Sequence, residues 1–224
     1  MVNRSRQAQA CLVGYVVASI ADVVAELLHH QGLVGILPMI LMPLLAGYLW
    51  WSSPPSRLRT VTLVALGFSW LGDWLGDPIL VKIIFFLGAQ IAYCVALWPG
   101  RRRGLLSRPG PLVAYALGMI ALIGLVASQA GALWLPVVVY GTSLFLMVAL
   151  ASGINRLTLV GALLFVASDL TIAYGAFLDA AAGERNGPLI MASYLTAQLL
   201  LVLGPRRRAA RVSPAPDPYL ASRR

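Results

Sequence analysis

Eight apolar runs alternate with short polar breaks along the chain, at about 11–28, 33–51, 60–76, 79–98, 110–129, 132–151, 158–178 and 187–204. Each approaches the roughly 17–25 residues that a helix needs to cross a bilayer. The breaks carry turn-forming residues: Ser52-Ser53-Pro54-Pro55-Ser56, Gly76-Asp77-Pro78, Pro99-Gly100-Arg101, Gly131, Ser152-Gly153 and Gly183 to Pro188. This pattern predicts an all-α integral membrane protein, a compact bundle of eight transmembrane helices. Short loops should make successive helices antiparallel neighbours. Residues 1–10 read as an N-terminal tail, 11–204 as the transmembrane domain, and 205–224 as a disordered basic tail rich in Arg, Pro and Ala. Arg4 and Arg6 precede the first run as they would in a signal peptide. That run continues through Leu28 without a small-x-small site, so it reads as an uncleaved first span.

Composition sharpens the picture. Of 224 residues, 59% are hydrophobic and 11% charged, and the mean hydropathy is +0.82; a soluble domain carries about a quarter charged residues. The net charge of +9 would raise nucleic acid as a partner in a soluble chain. Here the arginines sit in short loops and tails between apolar runs, which argues against nucleic acid and for anionic lipid headgroups. With eight spans, the tails and even-numbered loops hold fifteen basic residues, and the other side holds only Lys82 and Arg185. That bias predicts both termini on the cytoplasmic side, in a multi-pass protein expected in the bacterial plasma membrane. Cys11 and Cys94 are isolated in apolar runs and read as small buried side chains.

Candidate chemistry lies where ionisable groups interrupt those runs. Asp73 ends Leu66-Gly-Phe-Ser-Trp-Leu-Gly-Asp73, and Asp169 ends Leu163-Leu-Phe-Val-Ala-Ser-Asp169. An acid inside a span costs roughly 3 kcal/mol or more on insertion, so it is a functional candidate by default. The expected depths are about 20 Å for Asp73 and about 16 Å for Asp169 from the cytoplasmic helix ends. Asp22 and Glu26, four apart on one face of the first helix, fall at similar heights. Two readings of the aspartate pair stand: a shared site with one carboxyl protonated and the other ionised, or structural hydrogen bonds between helices. On these residues alone, hydrolysis and proton-coupled transport are equally compatible.

The remaining polar positions are less pointed. Glu26 either lines the same pocket or sits hydrated at the outer interface. Asp77, before Pro78, reads as a cap or a solvated loop residue. His29 and His30 are adjacent, but the chain holds no further histidine, so no metal site is expected. Tyr140 lies near Thr142 and Ser143; Tyr194 shares a helix face with Gln198, which is deep enough to need a hydrogen-bond partner.

Through most of its length the chain resembles the YhhN-type lysoplasmalogenases, a family of multi-spanning membrane proteins. The similar elements run in family order: Ala25-Glu26, Met42-Pro43-Leu44-Leu45, Phe68-Ser69-x-x-Gly72-Asp73 and Phe86-Leu87-Gly88. Tyr140, Met147, Gly161-Ala-Leu-Leu-Phe165-x-x-Ser168-Asp169 and Tyr194-x-x-x-Gln198 follow. The ordered pair Ser-x-x-Gly-Asp and Phe-x-x-Ser-Asp is the most specific. The resemblance implies hydrolysis of the vinyl ether bond of a lysophospholipid-type substrate, with no metal or organic cofactor. It implies catalytic roles for Asp73 and Asp169 and substrate contacts from Glu26, Ser69, Tyr140, Ser168, Tyr194 and Gln198. Two family features are missing: a lysine before the helix-two proline motif, where this chain has Leu37-Pro38, and a histidine late in helix four, where it has Gln90 and Tyr93.

Two other readings compete. An intramembrane aspartyl protease also pairs aspartates from two helices, but Trp70-Leu71-Gly72-Asp73 lacks the first glycine of its Gly-x-Gly-Asp motif. A proton-coupled lipid or solute transporter would use the same acids, although the two four-helix halves show no internal repeat.

Overall fold

The computed structural model describes residues 2–76, 78–179 and 185–212, and among these it contains helices and turns and no strand. Eight long helices follow in order: α1 (Val2–Leu27), α2 (Gln31–Ser52), α3 (Arg57–Leu75), α4 (Ile79–Leu97), α5 (Pro109–Gln129), α6 (Trp134–Ser152), α7 (Arg156–Phe177) and α8 (Gly187–Val212). Two 3-10 turns, Trp98–Arg102 and Gly104–Ser107, join α4 to α5, and a third, Gly131–Leu133, leads into α6. Seven of the eight helices are long and apolar enough to cross a membrane, which makes this a multi-pass membrane protein. The exception is α3. Its 19 residues include Arg57, Arg59 and Asp73, which dilute an otherwise apolar run.

The helix starts follow from capping. The Ser56 hydroxyl accepts from the Arg59 amide at 3.2 Å to open α3. Asn155 Oδ1 accepts from the Thr158 amide at 2.9 Å to open α7, and His30 Nδ1 accepts from the Leu33 amide at 3.3 Å to open α2. These side chains satisfy amides that the first helical turn leaves without partners. His30 is therefore a cap in the α1–α2 turn.

Both ends of the chain differ from expectation. Residues 2–10, read as a tail, are the first turns of α1, because Gln7-Ala8-Gln9-Ala10 are good helix formers with no breaker among them. The disordered tail expected from 205 also starts too early, since α8 continues through Pro205 to Val212. Arg206 holds that extension in place: its Nη2 donates to the Ser52 carbonyl at 2.8 Å, and its guanidinium stacks 5.0 Å from the centre of the Tyr48 ring. Asp77 and residues 213–224 lie outside the described residues.

Packing departs from simple succession as well. Seven helices close into a ring in the order α1, α2, α3, α4, α6, α7, α8 and back to α1, while α5 lies outside against α6. No residue of α5 is buried, and α4 packs on α6 where short loops had suggested α5. The 3-10 turns make this detour possible. Gly104, at φ +70°, tucks against the backbone of Ser152 and Gly153, where a side chain would collide. Helices α7 and α8 pack closely: a Cβ at Gly161 would stand 2.8 Å from Leu200 Cβ and 3.1 Å from the Ala197 carbonyl. Small residues permit such approach where hydrophobic force between helices is weak.

Candidate functional site

The middle of the ring is polar, and several of its groups are paired across helices that are distant in sequence. Gln198 of α8, fully buried, donates from Nε2 to Ser69 Oγ of α3 at 2.9 Å, and its Oε1 accepts from the Tyr93 hydroxyl of α4. The Tyr15 hydroxyl of α1 donates to the Leu195 carbonyl at 2.7 Å. Inside a bilayer each such group must find its partner within the protein, because no water competes for it.

Each aspartate has its own tyrosine. Asp73 lies in the last turn of α3, and Tyr194 of α8 donates to its Oδ2 at 2.8 Å. Asp169 lies eight residues before the end of α7, and Tyr140 of α6 donates to its Oδ2 at 2.6 Å. Both carboxyl groups are only half-buried. Asp169 and Tyr140 line an apolar cavity between α4, α5, α6 and α7, with about 780 Å³ of empty space counting its open mouth. Ile79, the first residue of α4, and Phe177, the last of α7, stand at one end, with Leu144 and Val166 deeper.

Asp73 is not on that wall. Phe86, which does line the cavity, meets the Tyr194 ring edge-on at 5.7 Å and the Phe165 ring at 6.2 Å. The Tyr194 ring that bonds Asp73 therefore borders Phe86. The two carboxyl groups remain near enough to repel each other, and Lys82 is near enough to attract both.

The other sequence candidates divide. Tyr140 joins Asp169 on the cavity wall, and Tyr194 joins Asp73. Ser69 and Gln198 bond to each other in the central network. Ser168 donates to the Ile190 carbonyl at 3.1 Å and so ties α7 to α8. Glu26 is in the last turn of α1, where its carboxylate packs against Gly187 at the start of α8 and away from the cavity. Cys11 and Cys94 are both unpaired.

Three participants were not singled out by sequence. Tyr93 completes the Gln198 network. Gln90 is fully buried beside the Tyr140 hydroxyl, with neither amide atom hydrogen-bonded among the described residues. Lys82 lines the cavity. A polar residue within an apolar run was the available signal for each. Asp22, noted for its spacing from Glu26, is fully buried, and both of its oxygens lack a partner among the described residues.

Fold and site together define a multi-pass helical membrane protein with two cross-helix carboxyl–tyrosine pairs, one of them facing a cavity. The YhhN family model matches residues 33–205, most of the chain, and the protein belongs to that family. No curated protein and no solved structure matches it.

Proposed function

We propose that the protein hydrolyses the vinyl ether bond of lysoplasmalogens, or of a closely related ether lysolipid, at the Asp169–Tyr140 end of the cavity. The observation that carries this reading is a carboxyl group, held by a tyrosine, on the wall of a largely apolar cavity between membrane helices. Family membership supports it.

The chemistry asks for two carboxyl groups with different duties. Protonated Asp169 delivers its proton to the outer vinyl carbon, and the ether oxygen shares its electrons to form an oxocarbenium ion. Water adds to that cation and loses a proton, and the hemiacetal collapses to a fatty aldehyde and a glycerophospho-headgroup. Asp73, ionised and within electrostatic range of Asp169, offsets the positive charge through the low-dielectric interior. The proton given up by water restores the acid, so the cycle balances. The assignment of acid and carboxylate follows access, since of the two aspartates Asp169 is the one that lines the described cavity.

The same reading sets the chain in the bacterial plasma membrane, with its arginine-rich ends cytoplasmic and facing anionic lipid. Aldehyde release from lysoplasmalogen in proteoliposomes is the test. Asp169→Asn and Asp73→Asn should each abolish it in protein that still folds. Release by the double variant, or proton-dependent uptake of lipid without aldehyde, would instead favour non-catalytic acids or a transporter.

A further inference from the structure

Among the described residues, Lys82 is the one charged side chain besides Asp169 on the cavity wall. It projects from the first turn of α4, and its stem lies across Gly76, where a Cβ would come within 2.8 Å of Lys82 Cε. That packing buries the stem and leaves the ammonium at the cavity's edge. Lys82 makes no ion pair among the described residues, although both aspartates are within electrostatic range. A half-buried cation with no ion pair among the described residues, at the edge of an apolar cavity, is suited to an anion brought in by the ligand.

Depth identifies that anion. Lys82 is three residues inside the α4 end of the cavity and Asp169 eight residues inside the α7 end, or about 4.5 Å and about 12 Å at the helical rise. The offset of about 7.5 Å, counted from those helix ends, is close to the reach of an extended glycerol ether, in which seven bonds, each advancing about 1.25 Å, separate phosphorus from the outer vinyl carbon. With the vinyl group at Asp169, the phosphodiester reaches Lys82.

We infer that Lys82 is the phosphate-binding residue of the cavity, selecting lysolipids that carry a phosphodiester on the glycerol carbon farthest from the ether chain. This rests on the hydrolase reading above and adds a headgroup subsite to it. The test compares aldehyde release by the full chain in mixed micelles from two substrates with the same alkenyl chain: 1-alkenyl-glycerophosphoethanolamine and phosphate-free 1-alkenyl-glycerol.

For Lys82→Gln, the ratio of kcat/KM between these substrates should fall about tenfold, mainly through KM for the phosphate-bearing one. Lys82→Arg should restore most of that preference. Binding of uncleavable 1-alkyl-glycerophosphoethanolamine, measured by calorimetry, should weaken by the same factor in the Gln variant. An equal loss on both substrates would mean that Lys82 serves the aspartates and would overturn the proposal. Unchanged kcat/KM on both substrates would mean that it serves only bulk lipid headgroups, with the same consequence. Wild-type protein that binds the alkyl analogue through Lys82 but releases no aldehyde would keep the subsite and remove the hydrolase reading.

Discussion

The contact between α3 and α4 offers the sharpest test of the packing that holds Asp73. Two phenylalanines there cover two glycines reciprocally. A Cβ at Gly88 would lie 2.7 Å from the Phe68 ring, and a Cβ at Gly72 would lie 2.6 Å from the Phe86 ring. Carbon atoms prefer about 3.5–4.0 Å, so each Gly→Ala change creates an overlap of about 1 Å. The relief available to the two rings differs. Phe68 is 37% exposed and can rotate outward toward lipid, whereas Phe86 is 6% exposed and held by the edges of Phe165 and Tyr194. Overpacking a closed core costs about 1–3 kcal/mol, and a site that can yield costs much less. Gly72→Ala should therefore lower the midpoint of thermal unfolding in detergent by several degrees, at about 2–4 °C per kcal/mol for a chain of this size. Gly88→Ala should lower it by less than half as much. Because Phe86 touches Tyr194, the partner of Asp73, Gly72→Ala should also depress turnover in the protein that remains folded. Equal shifts for the two variants, or a larger one for Gly88→Ala, would refute the argument from ring mobility.

Two further substitutions probe the polar interior. Gln198→Leu strands the Ser69 and Tyr93 hydroxyls, each at a cost of about 1–3 kcal/mol. Adding Tyr93→Phe should recover part of the lost unfolding midpoint, though Tyr93→Phe alone lowers it; two independent losses that simply add would contradict the shared network. Asp22→Asn replaces a buried carboxyl that lacks a partner among the described residues, so it should leave the unfolding midpoint unchanged or raise it. A marked fall would show that the carboxyl has a partner after all.

Much of the helical layout was legible in the chain. Hydropathy located all eight helices to within a few residues over their central parts, because a bilayer-length apolar run has few alternatives to helix. It was least informative at the ends, where Arg4 and Arg206 to Arg208 read as tails although helix propensity and the Arg206 contact extend α1 and α8 through them. It also counted α3 with the spanning helices, where polar residues bring the average below that of the other seven.

By itself, the sequence determined that this is a helical membrane protein and that Asp73, Asp169 and their tyrosines lie within its helices. Apolar content over twenty residues is a local property, summed along one segment, and needs no knowledge of neighbours. Only the tertiary structure decided that Asp73 pairs with Tyr194 across 121 positions of sequence, that Asp169 pairs with Tyr140, and that Asp169 alone of the two faces the cavity. It also decided that α5 stands outside the ring, leaving a cavity between itself and α4, α6 and α7 with Lys82 on the wall. Those outcomes depend on how each helix is rotated about its axis and which helix it meets. Side-chain volume and hydrogen-bond geometry set them across the whole bundle at once, as at Gly161 against α8 and Phe86 against Gly72.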